Sequence, residues 1–389
     1  MYPKLAEFMR SGDTVVLATV IRVRGSVPRE VGAKMIVHPQ GHHAGTVGGG
    51  CGEAAVMRAA LDVLATGSPA IISVDLTGEI AMESPAICGG VMDVFVERLP
   101  APCFALDDLQ PLLEAAQERQ QIVLATVVAA SGELSDTVGR KVIVAPSGGM
   151  LGSLCREGLD SLVLSTALQA LEAQQHSLTC YAQEGLSGGS WTRCPAHPEA
   201  MGLKPPADYA QEVCCVYTEV QRRPPTLIIA GAGHVAQPLA QIAQLCDFTV
   251  TVLDDRAQFA NRRRFPKADR VITGSMPQQL RDLALDPDTY VVLITRGHQH
   301  DVECLLQILD APLAYVGMIG SRRRVQGVMT LLEQEKGIPR AKLQRVFAPI
   351  GLDIGAKTPA EIALTIMAEV IKVYRGGTVL SLSDAWRLG

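Results

Sequence analysis

A nine-residue run from Gly45 to Glu53, GTVGGGCGE, places one cysteine directly behind three glycines and one carboxylate two positions beyond it. Glycine admits positive φ and the close approach of a ligand, and small neighbours leave a thiol uncovered. Gly48, Gly49 and Gly50 therefore read as an open turn that presents Cys51. Ala54 to Leu64 is apolar at helical spacing. That pattern sets Cys51 near a helix N-terminus, where unpaired N–H groups and the dipole favour a thiolate or a bound phosphate. Glu53 is placed to take or supply a proton. A second small-residue turn, Cys88-Gly89-Gly90, opens the alternating stretch VMDVFVERL and offers another thiol. A plain tight turn around a buried core cysteine is the competing reading of both.

The other residues with chemistry in them lie far along the chain. TLIIAGAGHVAQPLAQIAQLCDFTVTVLDD reads as strand, glycine turn, amphipathic helix and strand, with Gly231, Gly233 and Ala236 in a GxGxxA pattern. Asp254 and Asp255 close that second strand, where an acid would meet ribose hydroxyls in a dinucleotide site. Strand and helix patterns then alternate to the end, which predicts a doubly wound parallel sheet. Arg296, and the trio Gly320, Ser321 and Arg322, fall at strand ends, where such sheets bind ligands; the trio offers N–H groups and a guanidinium to an anion.

Elements must position these groups, and much of the first half of the chain is written twice. VVLATVIRVRGSVPREVGAKMIVHP aligns with IVLATVVAASGELSDTVGRKVIVAP, so Gly25 meets Gly132, Gly32 meets Gly139 and Lys34 meets Lys141, each 107 positions on (132 − 25, 139 − 32, 141 − 34). The helix after the loop is shared too, Ala60 with Ala167 and Leu64 with Leu171, but Gly48 to Cys51 face Cys155, Arg156, Glu157 and Gly158. Shared framework and divergent loop suggest that the framework makes the fold and the loop makes the function. The proline cluster from Arg222 to Pro225 reads as a linker. Domains are expected at 1–104, 105–223 and 224–389.

Composition limits the partners. A net charge of −5 and a sequence pI near 5.9 give no global basic field for nucleic acid. No uncharged apolar run reaches membrane-spanning length, and the first residues lack a signal-peptide core, so a cytoplasmic protein is expected. Ten cysteines at irregular spacing suit neither a disulfide scaffold nor a standard zinc pattern, and no metal site is assigned.

Taken together, GTVGGGCGEAAV, ICGGVMDVFVERL, IIAGAGHVAQPLAQIA, ITRGHQHDVECL, YVGMIGSRRR and PIGLDIGAKTPAEIALTIMAEVI resemble the XdhC/CoxI family over nearly the whole chain. The resemblance implies an α/β fold in which a duplicated XdhC/CoxI-type module precedes a Rossmann-like domain. It further implies an accessory protein, homodimeric, that binds and protects molybdenum cofactor (molybdopterin) and helps load its sulfurated form into an apo molybdenum hydroxylase of the xanthine dehydrogenase kind, working with a cysteine desulfurase. Cys51 and Cys88 would lie at the metal end of the cofactor, and the Rossmann strand ends would hold the rest. The residues also leave open an NAD(P)-dependent oxidoreductase with a dinucleotide on the Rossmann half, and a docking chaperone whose thiols are inert.

Overall fold

The computed structural model describes residues 1–76, 89–101, 104–118, 120–154, 156, 158–183, 190–194, 212–381 and 383; of 51, 116–118 and 298 it describes the backbone alone. The chain divides into two units, Met1–Arg223 and Pro224–Gly389.

In the first unit, helix α1 (Tyr2–Arg10) leads into β1 (Val15–Arg24), β2 (Lys34–Val37), β3 (His43–Gly45), helix α2 (Gly50–Thr66), β4 (Ala70–Asp75) and β5 (Val91–Leu99). After helix α3 (Gln110–Glu118) the series recurs as β6 (Ile122–Ala130), β7 (Lys141–Val144), β8 (Met150–Leu151), helix α4 (Leu159–Ala173), β9 (Ser177–Gln183), β10 (Trp191–Arg193) and β11 (Val213–Gln221). Both sheets are antiparallel, ordered β3-β2-β1-β5-β4 and β10-β9-β11-β6-β7-β8, so the second repeats the first with one added edge strand. Even the bulge is duplicated: Ile21 is skipped between Val20 and Arg22 against β5, and Val128 between Val127 and Ala129 against β11.

Period-two alternation explains the layering. Val16, Ala18 and Val20 of β1 pack with Val56, Ala60 and Val63 of α2, whereas Ile21, together with Phe95 of β5, packs with Val128, Val213 and Tyr217 of the second sheet. Leu17 of the first sheet and Leu124 and Ile143 of the second share a further cluster with α1 and α3. Both faces of each sheet are covered, in the order helix, sheet, sheet, helix. Two ion pairs cross between the copies in the buried interior: Lys34 to Glu219 at 2.8 Å and Lys141 to Glu97 at 2.6 Å. The two lysines occupy equivalent positions, as do the two glutamates, so the pairs are related by the internal pseudosymmetry. Tyr2 adds its hydroxyl, donating to Glu219 at 2.9 Å.

The second unit holds β12 (Thr226–Ala230), helix α5 (Ala236–Leu245), β13 (Thr249–Asp254), β14 (Arg270–Thr273), helix α6 (Met276–Asp282), β15 (Thr289–Leu293), helix α7 (His298–Ile308), β16 (Tyr315–Met318), helices α8 (Arg322–Gln334) and α9 (Arg340–Leu343), β17 (Val346–Phe347) and helix α10 (Pro359–Arg375). All pairings are parallel in the order β14-β13-β12-β15-β16-β17, so strand order reverses between β12 and β15. Helices α5 and α10 cover one face, and α6, α7 and α8 the other. Helix α10 opens on the capping box that Thr358 and Glu361 predict, and stops at Gly376 in the left-handed region.

One pairing departs from the sequence reading of the cysteines. Cys180 and Cys215 face each other across β9 and β11 with their Cα atoms 4.0 Å apart and form a disulfide. Thirty-five residues separate them, and only the strand register brings them together. Cys214, one residue away, points to the opposite face and is buried beneath α4.

Candidate functional site

The loop before α2 has the backbone that its glycines anticipate. Gly48, Gly49 and Gly50 have φ of +133°, +76° and +59°. These are angles that side-chain-bearing residues rarely adopt. A Cβ on Gly48 would strike the ring of Pro28, whereas one on Gly49 or Gly50 would meet nothing within 4 Å. The loop therefore packs on one side and is open on the other. Gly49 is the N-cap of α2, which places the backbone of Cys51 in the first helical turn.

Glu53 braces this loop. Its carboxylate accepts from the Thr46 hydroxyl, which in turn accepts from the Gly48 N–H at 3.0 Å. The Thr46 bond, with those from the Gly49 and Val47 N–H groups, holds the carboxyl below its usual range despite partial burial. The second copy repeats the arrangement: Asp160, 107 positions on, accepts from the Ser153 hydroxyl at 2.6 Å and the Leu154 N–H at 2.9 Å. The carboxylate belongs to the shared framework, and the three glycines and the cysteine are what the first copy adds. In the second copy the helix starts later, at Leu159, with Gly158 at positive φ as its N-cap.

Cys88 lies outside the described residues, but Gly89 and Gly90 do not. A Cβ on Gly90 would sit 2.6 Å from the Arg24 carbonyl oxygen and 2.7 Å from that of Ser26, while one on Gly89 would meet nothing within 4 Å. The turn from Arg24 to Pro28 thus touches both glycine segments, Gly90 on one side and Gly48 on the other. The sequence marks this stretch as a glycine turn at Gly25, but nothing in it signals the contact with the two glycine segments.

In the Rossmann unit, the sequence-predicted residues lie at or just after the carboxyl ends of β12, β13, β15 and β16, with Ala236 and Arg322 opening the helices after β12 and β16. A Cβ on Gly231 would strike the Ile294 carbonyl, so this glycine is required by packing; Gly233 has no positive φ and faces open space. Ala236 is fully buried at the start of α5. Asp254 is not the free carboxylate expected of a ribose ligand. It is buried, and accepts from the Ala232 N–H at 2.7 Å, the Arg256 N–H at 3.0 Å and the Arg256 guanidinium at 2.8 and 2.9 Å. Burial pushes its carboxyl up, but these donors outweigh it and bring it down to about 2. Asp255 pairs with Arg296 at 2.6 Å, bridging the ends of β13 and β15. Ser321 caps α8 by accepting from the Arg324 N–H, leaving Arg322 exposed at the helix start beside Gly320. A buried carboxylate missed in the sequence, Asp301, takes the Thr295 hydroxyl at 2.5 Å and the Arg324 guanidinium, tying α7 and α8 to the end of β15. Among the described residues no group of three or more His, Cys, Asp or Glu is placed to hold a metal ion.

Comparison with known proteins follows the same division. The model of the XdhC and CoxI family matches residues 8–75 and again 115–182, both ends displaced by 107 positions (115 − 8, 182 − 75), and the XdhC Rossmann domain matches 227–370. The chain belongs to the XdhC and CoxI family. An uncharacterised protein of Escherichia coli K12 is 35% identical over 159 residues; that stretch is 41% of this chain but 29% of that relative's length. A Bacillus subtilis 168 protein described as a probable xanthine dehydrogenase component is 25% identical over 374 residues, 95% of this chain and 96% of its own. The molybdenum cofactor insertion chaperone PaoD of E. coli K12 is 23% identical over 94% of this chain and 86% of its own. A solved structure described as a xanthine dehydrogenase from Bacillus halodurans shares the fold at a TM-score of 0.72 and 23% identity, covering 98% of this chain and 97% of that one. No helix among the described residues is long and apolar enough to cross a membrane.

Proposed function

We propose that this chain is an accessory protein that carries molybdenum cofactor to a molybdenum hydroxylase of the xanthine dehydrogenase kind. The observation that carries the reading is the first-copy loop: an open, left-handed glycine cradle on a braced framework delivers Cys51 to the first turn of α2, and the second copy keeps the brace without the cradle. Its relatives, one described as a molybdenum cofactor insertion chaperone and one as a probable xanthine dehydrogenase component, agree with it.

The residues fit this cargo. Molybdopterin bears a phosphate and a metal-dithiolene end; the first needs donors and the second a small-residue pocket beside a soft ligand. Gly49, Gly50 and Gly89 leave room at the protein surface, and a Cys51 thiolate at a helix N-terminus is the donor class that molybdenum takes. Cys88, which lies outside the described residues, is proposed for the same end from the sequence alone. Glu53 acts as a positioning residue for the loop. Gly233, Arg296, Gly320, Ser321 and Arg322 supply an open, donor-rich strand-end surface in the Rossmann unit. Delivery of sulfurated cofactor would take a cysteine desulfurase as a second partner, and a homodimer is the working assembly.

The dinucleotide reading draws less support. Asp254 is spent on the glycine turn itself, and Asp255 on Arg296, so each acid at the end of β13 already has cationic or N–H partners. A reconstitution decides between them. Apo hydroxylase and cofactor are incubated with wild-type chain, Cys51→Ser or Cys304→Ser. Activation lost in Cys51→Ser alone supports the proposal. Equal activation by all three, or specific turnover of nicotinamide cofactor by the chain itself, refutes it.

A further inference from the structure

The internal pseudosymmetry gives the first unit two equivalent clefts between the copies, and their chemistry has diverged. One, of about 700 Å³, is lined by Arg22, Pro28 and Arg29 from the first copy and by Gln175, His176 and Arg222 from the second. Its counterpart, of about 270 Å³, is lined by Pro69, Glu97 and Arg98 of the first copy and Asp136 and Arg140 of the second. The positions match through the repeat: Arg22 with Ala129 and Arg29 with Asp136 at an offset of 107 (129 − 22, 136 − 29), and His176 with Pro69 likewise (176 − 69). Arg222 matches Pro100 at the offset of 122 by which Glu219 follows Glu97 (222 − 100, 219 − 97). Each basic residue at these four positions of the large cleft has a neutral or acidic residue as its counterpart in the repeat, and two of those counterparts, Asp136 and Pro69, line the small cleft. Shape alone needs no such bias, because the same framework closes the other cleft without it.

Three features make the large cleft a place for an anion. The Nε of Arg22 is fixed on buried Asp93 at 2.6 Å, while its Nη1 is buried and finds no hydrogen-bond partner among the described residues. A buried guanidinium N–H left unpaired is costly, and Arg22 lines the cleft, so a small turn of its side chain would let an anion held there satisfy it. Arg29 and Arg222 are both exposed at the cleft, Arg222 steadied by donating to the Gln174 carbonyl. His176 accepts the Val220 N–H at its Nδ1, which leaves its Nε2 the protonated, donating nitrogen of the neutral ring. Glu30 also lines the cleft and Asp93 offsets the charge of Arg22, so its field is mixed, with Arg29 and Arg222 beside one acid. Pro28, finally, joins the cleft to the glycine cradle, since its ring is what a Cβ on Gly48 would meet.

We infer that this cleft binds the phosphate of a phosphate-monoester-bearing small molecule, with Arg22, Arg29, His176 and Arg222 as its donors. The inference rests on the proposed cofactor-carrying role for the identity of the cargo, a pterin phosphate whose other end lies toward Cys51. It does not need that role for the anion site itself.

The test uses the full chain and two probes: a fluorescent pterin monophosphate compared with its dephosphorylated form by anisotropy, and inorganic pyrophosphate by calorimetry. Wild-type chain should favour the phosphorylated pterin at least tenfold, a factor in line with one or more charge-assisted hydrogen bonds. Arg29→Ala with Arg222→Ala, both at exposed positions, should abolish that preference and pyrophosphate binding with melting temperature unchanged. Arg98→Ala with Arg140→Ala in the counterpart cleft should leave both intact. Phosphorylated pterin bound equally well by the Arg29/Arg222 variant overturns the inference while leaving the cofactor role standing. Pyrophosphate lost in that variant, with no pterin bound by wild type, upholds the anion site and refutes the cofactor role. Failure of wild-type chain to bind either probe overturns the inference outright.

Discussion

At the scale of single residues, the acids of this chain prove more structural than their positions suggest. Asp254 is the clearest case. Its folded-state carboxyl lies at about 2 against an ordinary 3.8, so it stabilises the fold fully above about pH 4 and loses that contribution as pH falls through 2. The shift corresponds to roughly 2 kcal/mol. Asp254→Asn is therefore expected to lower unfolding free energy by about that amount at pH 7 and to flatten its decline between pH 4 and 2. Urea melts across that range check it, and an unchanged pH profile would contradict it. The thiols differ as sharply. Burial pushes Cys214 and Cys304 up to about 12, leaving almost no thiolate at neutral pH. Cys51, in the first turn of α2, is expected to alkylate faster than either in the folded chain; equal rates by mass spectrometry would count against the helix-terminus argument. Cys51 itself was legible in the sequence because three glycines announce it. Asp254's engagement was not, because a carboxylate after a GxGxxA turn reads the same whether it meets a ribose or the turn's own N–H.

At the scale of elements, the two glycine turns call for different substitutions. Gly48 carries a φ of +133° against the ring of Pro28, so Gly48→Ala is strained in both backbone and space and should cost stability before it says anything about ligand. Gly233 has neither constraint. Gly233→Val is expected to keep the melting temperature within a few degrees while reducing cofactor retention, and a large drop in melting temperature would show that the turn needs glycine for packing. The strands, the repeat and the helix caps could be read from alternation, self-similarity and Thr358-Glu361 because those signals are local. The Cys180–Cys215 pair and the cleft lined by Arg22 could not, since each depends on register or on an approach between segments far apart in sequence, and the Thr46–Glu53 and Ser153–Asp160 braces, though local, depend on how each loop turns back onto its helix. One signal was available: Thr46 and Ser153, like Glu53 and Asp160, occupy the same positions in the two copies, and a polar pair kept where the surrounding loop diverges marks framework.

For the whole molecule, duplication explains how the first unit can bury charge. Lys34 and Lys141 sit within apolar strands, an unfavourable placement in either copy alone. Each is met by a glutamate of the other copy, so the copies complete one another. Lys34→Met should destabilise the chain by about 3–5 kcal/mol by leaving the buried Glu219 carboxylate without its cation, and Lys34→Met with Glu219→Gln should recover part of the loss. Additive losses in denaturant melts would mean the pair is not coupled. On the proposed function, the duplication also frees one copy for a framework role while the other carries the cysteine cradle. The direct measurement is cofactor retention: the chain is purified from cells making molybdenum cofactor, and bound molybdenum and oxidised pterin are quantified for wild type, Cys51→Ser and Cys194→Ser. We expect both in wild type and in Cys194→Ser, and loss of most of each in Cys51→Ser at normal melting temperature. Absence of pterin from the wild-type chain, or equal retention by all three, would contradict the account.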